Sequence, residues 1–431
     1  RKIMNDRPFL GYGFPTKDRA QLLKKCLEYL YAQQTDDYEV IVSDNSINKP
    51  CKDVVAPFLK DKKFKYFRPT EPLSMPDNWD FAIEKAQGQY ITVINEKFLF
   101  HPRATGVLQE LAHEFYTPDI LSWQYEHFAM SDGEGQRGTY HPLIKPVMPS
   151  VYSALEELKR RFDFIEPLFG RSTQEKISFG KIYSGAVNRK IVEKIKQHYG
   201  RIFVPMSPDF TSMVCALNFS NKCVDVGRSL MMVVSGENIS NGERTKVSLP
   251  AAKRFLEETT PDFLQYISQL VVPGFWLGHN IFIASDYARI KAMYSTGNLS
   301  KVKLNIPAAL GWAIIEYDQV TDWGDEDPAN FKKILDNFYA LLTDEEKVIT
   351  DSIIAENEKV RQPSPREIYH SGLTKSDIYI PDISPEELAR YHWDKQLALP
   401  RKPVATSPQH LDDAMDFYIR YTNLSLELLG L

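Results

Sequence analysis

Cysteine is scarce in this sequence. The 431 residues include four cysteines, and no two of them form a CxxC pair: Cys26, Cys51, Cys215 and Cys223. This usage argues against a disulfide-stabilised secreted scaffold and predicts a protein of a reducing compartment. Residues 1–7 are mostly polar and no apolar h-region of a signal peptide follows them, so we expect no secretory signal. The expectation is a cytoplasmic protein with buried free thiols.

Long apolar runs are missing as well. The stretch 263–285 carries no Asp, Glu, Lys or Arg, but Pro273 and Gly274 interrupt it. A membrane-spanning helix is more uniformly apolar, so the pattern predicts two buried helices joined near Pro273. Association with a membrane surface on the cytoplasmic side stays open as a less favoured alternative.

The sequence also lacks a strong charge bias and the common nucleotide and metal motifs. Its net charge is −5 and its pI is about 6.1, which gives no reason to expect a nucleic-acid partner. GxxxxGK[ST], GxSxG and HExxH are all absent, and the nine histidines are dispersed. These absences argue against a P-loop nucleotidase, an α/β-hydrolase and a zinc enzyme. A GxGxxG match occurs in "GEGQRG" (133–138), but it lies in a polar, Gly-rich stretch and not between a strand and a helix, so it gives no dinucleotide-binding fingerprint.

What the sequence does contain is a strand–helix alternation over its first ~125 residues. Apolar runs at 9–14, 38–43, 64–67 and 90–94 predict strands, and helical periodicity separates them, with the first helix expected over 18–34. This order is typical of an α/β fold with a mostly parallel sheet flanked by helices. The pattern in 223–235 predicts a pair of strand-like runs. After residue 242 helical patterns dominate, and 362–365 is a candidate linker. We therefore predict an α/β domain over 1–242 and a mostly helical region over 243–431.

Polar residues follow three of the predicted strands, where a parallel sheet binds its ligands. The first strand is followed by "PTKDR" (15–19), the second by "DNS" (44–46) and the fourth by "NEK" (95–97). Each group alone has an ordinary interpretation as a helix cap or a turn. Together they predict one crevice at the carboxyl edge of the sheet.

The order of these motifs resembles family 2 of the GT-A glycosyltransferases. The resemblance rests on "PTKDR" (15–19), "VSDNS" (42–46), "DNWDFAIEKAQGQYITVI" (77–94) with Pro102 after it, and "YSGAVNRK", Gly200 and "SPDFTSMVCAL" further on. It covers about residues 9–242. It implies a Rossmann-like GT-A fold and an inverting transfer of a sugar from a nucleotide-sugar to an acceptor hydroxyl, as in polysaccharide biosynthesis.

The resemblance also implies roles for individual residues. Asp209 matches the catalytic base that takes the proton of the acceptor hydroxyl, although an Asp at a helix start is also an ordinary cap. Thr16 and Asp44 match positions that bind the nucleotide base, and Asn78 lies on the same side of the pocket. The full set of expected donor-binding residues is Pro15, Thr16, Arg19, Asp44, Asn45, Asn78, Asn95 and Glu96.

The family's metal-binding D-x-D motif is not intact here. It falls on Asn95-Glu96-Lys97, and an ammonium group repels a divalent cation instead of binding it. We predict that Lys97 is a catalytic residue that stabilises the leaving diphosphate, with no cofactor. Three alternatives stay open: Glu96 still holds Mg²⁺ or Mn²⁺, activity is lost and the fold only binds sugar nucleotides or glycans, or Lys97 forms an ordinary surface ion pair.

The resemblance leaves the acceptor and the C-terminal region unspecified. The expected partners are a nucleotide-sugar donor and a glycan or another hydroxyl acceptor. We expect residues 243–431 to shape the acceptor side, to mediate self-association or to touch a membrane surface. A nucleotidyltransferase is a less favoured class, because "GFPTKDR" is a poor match to the Gly-rich basic loop of such enzymes.

Overall fold

The computed structural model describes residues 7–48, 50–131, 137–141, 148–164, 182, 185–203, 207–236, 241–260, 262–294, 296–360, 384–386, 410–428 and 430. These residues form one mixed sheet with helices on both of its faces. The expected linker at 362–365 lies outside the described residues.

The sheet has ten strands within the described ranges, in the order β3-β2-β1-β4-β9-β6-β10-β5, with β7 paired to β6 and β8 to β10. Six strands (β1, β2, β3, β4, β6 and β10) run in one direction, and the other four are antiparallel to them. The bounds are β1 Leu10–Thr16, β2 Tyr38–Asp44, β3 Phe64–Phe67, β4 Tyr90–Val93, β5 Phe98–Phe100, β6 Ile120–Met130, β7 Gly138–His141, β8 Ser150–Ser153, β9 Gly185–Asn188 and β10 Lys222–Ser235.

Helices alternate with the strands in the first half, and the described chain after β10 is helical. The bounds are α1 Ala20–Leu30, α2 Lys52–Val55, α3 Met75–Glu84, α4 Ala104–Glu114, α5 Ala154–Asp163, α6 Arg189–Tyr199, α7 Pro208–Phe219, α8 Asn241–Val247, α9 Leu249–Thr259, α10 Phe263–Ser268, α11 Asn280–Met293, α12 Ile306–Tyr317, α13 Pro328–Ala340, α14 Asp344–Val360 and α15 Leu411–Leu428. This architecture confirms the expected α/β fold with a helical C-terminal region.

Two hydrophobic cores cover the two faces of the sheet. One joins α3, α6 and α7 to the C-terminal helices α11 and α12, through side chains such as Met213 and Ile283. The other joins α1 and α4 to the last helix α15, through side chains such as Leu108 and Tyr418. The helical region therefore packs on the same cores as the sheet, and the division at residue 242 stays a prediction.

Several local predictions needed correction. The helix predicted from Asp18 begins at Ala20, because Asp18 has a φ of 55°, outside the helical region. The turn at 95–97 leads into the short strand β5, which pairs antiparallel with β10, before α4 begins. The two strand-like runs in 223–235 form one strand, β10, with an irregular register between Asp225 and Met231.

The uncharged stretch 263–285 forms α10 and the first part of α11, as two helices separated by the Pro273 turn. Both helices contribute to the core, through Tyr266 and Ile281 among others. Within the described part of the chain, every helix is too short or too polar to cross a membrane.

Candidate functional site

β1 and β2 end side by side at the carboxyl edge of the sheet. Thr16 lies opposite Asp44, and the N–H of Asn45 donates to the carbonyl oxygen of Thr16 at 2.9 Å. Both side chains are buried, with 3% and 1% exposure. Thr16 Oγ1 forms no ordinary hydrogen bond with a described residue; the Cys51 thiol beside it is only a weak partner. An unpaired buried hydroxyl costs free energy, so this atom is a candidate ligand contact.

Asp44 organises the loop that follows β2. Its Oδ1 accepts from the N–H of Ser46 at 3.1 Å, and its Oδ2 accepts from the N–H of Cys51 at 2.8 Å and the hydroxyl of Tyr66 at 2.6 Å. Burial on its own raises the pKa of Asp44, but these hydrogen bonds outweigh it and leave the pKa below its ordinary value. The carboxylate is therefore ionised at neutral pH.

The loops after β1 and β2 are tied to each other. The N–H of Asp18 donates to Ser46 Oγ at 2.8 Å, and Asp18 Oδ1 accepts from the N–H of Asn48 at 2.9 Å. Asp18 adopts the left-handed conformation that non-glycine residues rarely use, and such strain persists only where surrounding contacts hold it. Pro15 is buried in β1 opposite Ser43. The mouth of the crevice is thus rigid.

Asn45 and Asn78 use their side chains within the protein. Asn45 exchanges two hydrogen bonds with the backbone of Leu73, at 2.8 and 2.9 Å. Asn78 Oδ1 accepts from the hydroxyl of Ser43 at 2.5 Å. Both contacts fasten the start of α3 to the end of β2, which is a scaffold role. Direct donor binding by either side chain stays a prediction.

The turn after β4 holds a buried ion pair. Glu96 is 4% exposed, and its Oε1 lies 3.1 Å from Nη1 of Arg19. Asn95 Oδ1 accepts from the N–H of Lys97 at 2.9 Å, and the carbonyl oxygen of Lys97 accepts from the N–H of Val234 at 2.9 Å. The Lys97 backbone is therefore fixed on both sides, and its side chain is half-buried.

These residues do not fit a divalent cation. The single carboxylate of the turn is paired with Arg19, and Lys97 stands in place of the second one. Over the described residues, no group of three or more His, Cys, Asp and Glu side chains is placed to hold a metal. A cation at Glu96 would first have to displace a guanidinium group.

Asp209 lies in the first turn of α7, and α3 anchors the segment that leads toward it. Asp80 Oδ1 accepts from the N–H of Ile202 at 2.9 Å, and its Oδ2 accepts from Nε of Arg201 at 3.1 Å. Asp77 Oδ1 accepts from Nη2 of Arg201 at 2.7 Å. The helix that begins on the β2 side of the crevice therefore also fixes the approach to Asp209.

Buried polar groups surround Asp209. Burial raises the pKa of Tyr125 and of Tyr287, and the negative charge of Asp209 adds to the effect on both. Burial likewise raises the pKa of Asp286, on α11, to about 7, and Asp209 adds to this shift while Ser207 and Arg289 oppose it. The sequence reasoning missed Asp286, although it is the first charge after the uncharged stretch 263–285.

Comparison with known proteins identifies one family over this segment. Residues 13–195 match the family model described as "Glycosyl transferase family 2". A curated relative, the GalNAc(5)-diNAcBac-PP-undecaprenol beta-1,3-glucosyltransferase of Campylobacter jejuni subsp. jejuni serotype O:2, is 30% identical over 111 residues. That match covers 25% of this chain, and the chain spans about a third (36%) of the relative.

Solved structures show a distant likeness. The structure of S. aureus TarS 1-349 in complex with UDP-GlcNAc has a TM-score of 0.44 at 10% identity, over 77% of this chain and 92% of that one. The mannosyltransferase PcManGT from Pyrobaculum calidifontis, with GDP-Man and Mn²⁺, has a TM-score of 0.39 at 13% identity, over 82% and 87%. The fold description rests on the chain's own strand order.

The Asp44 contacts predict a pH-dependent stability effect at Tyr66. Tyr66→Phe removes a hydrogen bond to a carboxylate, and we expect a loss of about 1.5–3 kcal/mol in the free energy of unfolding at pH 7. A lowered pKa stabilises the fold above the ordinary value of Asp and loses this contribution as pH falls. The loss should therefore shrink below pH ~4, as measured by urea denaturation.

Tyr31→Phe is the matched control for this measurement. The Tyr31 hydroxyl is buried and has no hydrogen-bond partner within the described residues, so its removal should leave stability unchanged or raised. Equal losses in the two variants, or a Tyr66→Phe loss that does not change with pH, would contradict the role given to Asp44.

Proposed function

We propose that the protein is a glycosyltransferase that transfers a sugar from a nucleotide-sugar donor to an acceptor hydroxyl, because residues 13–195 match the model of glycosyl transferase family 2. The ends of β1, β2 and β4, where we place the crevice, lie within the segment that matches the family model. We further propose inversion at the anomeric carbon, with Asp209 as the general base.

One observation carries the donor site: the hydroxyl of Thr16, whose one partner among the described residues is the weak Cys51 thiol, lies beside the ionised carboxylate of Asp44 at the strand ends. Ligands of parallel sheets bind at such ends. Asp44 accepts from the N–H groups of Ser46 and Cys51 and from the hydroxyls of Tyr66 and Ser46, which fill the about four acceptor sites of its two oxygens. An N–H of a nucleotide base would therefore bond to Asp44 in place of one of these donors, such as the Ser46 hydroxyl, while Thr16 bonds to a second polar atom of the base.

The proposed reaction is a single displacement. The carboxylate of Asp209 takes the proton of the acceptor hydroxyl while the hydroxyl oxygen bonds to the anomeric carbon. The bond between that carbon and the diphosphate oxygen breaks, and its electron pair leaves with the nucleoside diphosphate. The polar surroundings of Asp209 and its place at a helix start support a carboxylate held in one position.

The departing diphosphate needs positive charge, which we assign to Lys97. Arg19 neutralises Glu96 within their ion pair, so the three side chains Arg19, Glu96 and Lys97 together carry one net positive charge. The fixed Lys97 backbone supports a preorganised cation, which stabilises developing negative charge without reorganisation. No step of this mechanism runs through a metal ion.

For the acceptor we propose a glycan hydroxyl, with residues 243–431 forming part of its binding side. The C. jejuni relative is named for GalNAc(5)-diNAcBac-PP-undecaprenol, a lipid-linked glycan. The packing of α11 against α7 supports the second half of the proposal, because it brings the helical region next to Asp209. A lipid-linked acceptor would bring the protein to a membrane surface.

The test of this function is release of nucleoside diphosphate from a panel of UDP- and GDP-sugars, with and without glycan acceptors. Turnover of one donor, stimulated by an acceptor, is the expected result. Lys97 stands where the D-x-D motif of the family has an aspartate. This difference favours one competing function, in which the protein only binds sugar nucleotides. Nucleotide binding without turnover of any donor would contradict the proposed enzyme activity and favour this binding-only function.

Asp209→Asn keeps the shape of the proposed base and removes its basicity. We expect kcat to fall by about 10²–10⁴-fold, with the donor KM nearly unchanged. Asp344→Asn is the matched control, because Asp344 is an exposed carboxylate in the first turn of α14. Transfer by Asp209→Asn at the wild-type rate would remove Asp209 from the mechanism.

Lys97→Ala tests the assignment of the leaving-group charge. We expect kcat to drop by about 10²–10³-fold, and nucleoside binding to change little, because the charge acts mainly in the transition state. Wild-type turnover should survive EDTA and respond little to Mn²⁺. Lys60→Ala, an exposed turn lysine, serves as control. A wild-type enzyme silenced by chelator, or normal turnover in Lys97→Ala, is the opposite outcome.

A further inference from the structure

A carboxylate of the helical region reaches the start of the helix that carries Asp209. Asp286, in the middle of α11, is fully buried. Its Oδ2 accepts from the hydroxyl of Ser207 at 2.6 Å and from the N–H of Ser207 at 3.1 Å. Ser207 is the N-cap residue of α7, and Asp209 follows two positions later.

The Ser207 hydroxyl is not used in the ordinary way for this position. N-cap serines usually accept a hydrogen bond from the first turn of their helix. Ser207 makes no such capping bond, and its hydroxyl donates to Asp286 instead. The start of α7 is thereby fixed by a residue 79 positions away in sequence, so the helical region determines where Asp209 lies.

The other carboxylate oxygen of Asp286 lacks a hydrogen bond. Asp286 Oδ1 is buried and forms no hydrogen bond within the described residues; Nη1 of Arg289 lies 3.8 Å away, within ion-pair range only. The groups that act electrostatically on Asp286 or are acted on by it are Arg289, Asp209, Tyr266, Tyr287 and Tyr199. Burial mainly determines whether Asp286 is charged, with Asp209 adding to the rise in its pKa and Ser207 and Arg289 opposing it.

We propose that Asp286 is a positioning residue for Asp209, because it fixes the start of α7 through both the hydroxyl and the N–H of Ser207. The inference rests on the proposed function, in which Asp209 takes the acceptor proton.

The charge state of Asp286 changes within the physiological range. Burial raises the pKa of Asp286 to about 7. Below that pH the neutral acid still accepts both Ser207 hydrogen bonds, so the position of α7 is kept. Above it the ionised form accepts the same two hydrogen bonds. An amide oxygen can accept them as well, so Asp286→Asn should keep the start of α7 in place.

The first test needs no activity. Asp286→Ala removes both hydrogen bonds between α11 and the start of α7, and Ser207→Ala removes the one from the hydroxyl, so the double variant should lose less stability in urea denaturation than the sum of the single variants. Asp286→Asn should gain stability relative to the wild type as pH rises from 5 to 8. The folded wild type keeps its proton to a higher pH than the unfolded chain, so its stability falls over this window.

The second test compares pH profiles of kcat, measured as nucleoside diphosphate release with UDP-glucose, UDP-N-acetylglucosamine and GDP-mannose as donors. Asp286→Asn should keep a kcat close to that of the wild type, because its amide oxygen can accept both hydrogen bonds from Ser207. Asp286→Ala should lose on the order of tenfold to 10²-fold in kcat at every pH, with little change in donor KM, because the base is misplaced.

Asp262→Asn is the matched control. Asp262 is an exposed carboxylate of the same helical region that caps α10, accepting from the N–H of Gln265 at 3.0 Å. It should show the wild-type pH profile. Additive costs for Ser207→Ala and Asp286→Ala, or an Asp286→Ala variant with the wild-type kcat, would overturn the inference alone. A wild type that turns over no donor would overturn the proposed function itself, while the stability test still decides the link.

Discussion

A buried carboxylate needs a counter-charge, and at this active-site edge Glu96 has Arg19 at 3.1 Å. The pair joins the loop after β1 to the turn after β4, so the two sides of the crevice keep a fixed separation. Burying Glu96 without a partner would cost several kcal/mol. The same pairing occupies the one carboxylate that could hold a cation at this turn. Lys97 stands beside it in place of a second carboxylate, and the leaving-group role proposed for Lys97 depends on that positive charge.

Buried hydrogen bonds also link the helical region to the start of α7, the helix that carries Asp209. Asp286 of α11 holds Ser207, and the N-terminal end of α11 is held in turn by Glu316 of α12, whose Oε1 accepts from the N–H of His279 at 3.0 Å and from the side chain of Asn280 at 2.9 Å. Burial raises the pKa of Glu316 to about 7. Glu316 thus links α12 to α11, and Asp286 links α11 to the start of α7. The helical region therefore supports α7, the helix that carries the proposed base.

The sequence was informative where chemistry and local pattern coincide. Apolar runs followed by "PTKDR" and "VSDNS" predicted both the strands and their polar ends, because side chains near in sequence share one turn. The hydrogen bond from Tyr66 to Asp44 depends on the register of β3 against β2. The hydrogen bond from Ser207 to Asp286 depends on the packing of α11 against α7. Neither contact has a local pattern that would reveal it. The sequence pattern predicts a helix start at Asp18. The positive φ of Asp18 depends on contacts with Ser46 and Asn48, which no local pattern reveals.

The most direct measurement is calorimetric binding of UDP and GDP to the wild type and to Thr16→Val. Valine has nearly the shape of threonine and removes only the hydroxyl, whose one described partner is the weak Cys51 thiol, so the free protein should be as stable as the wild type or more so. If the crevice binds the nucleotide, one of the two should bind the wild type, and its affinity for Thr16→Val should be at least about tenfold weaker, roughly 1.4 kcal/mol. An unchanged Kd in Thr16→Val, or a wild type that binds neither nucleotide, would contradict the account.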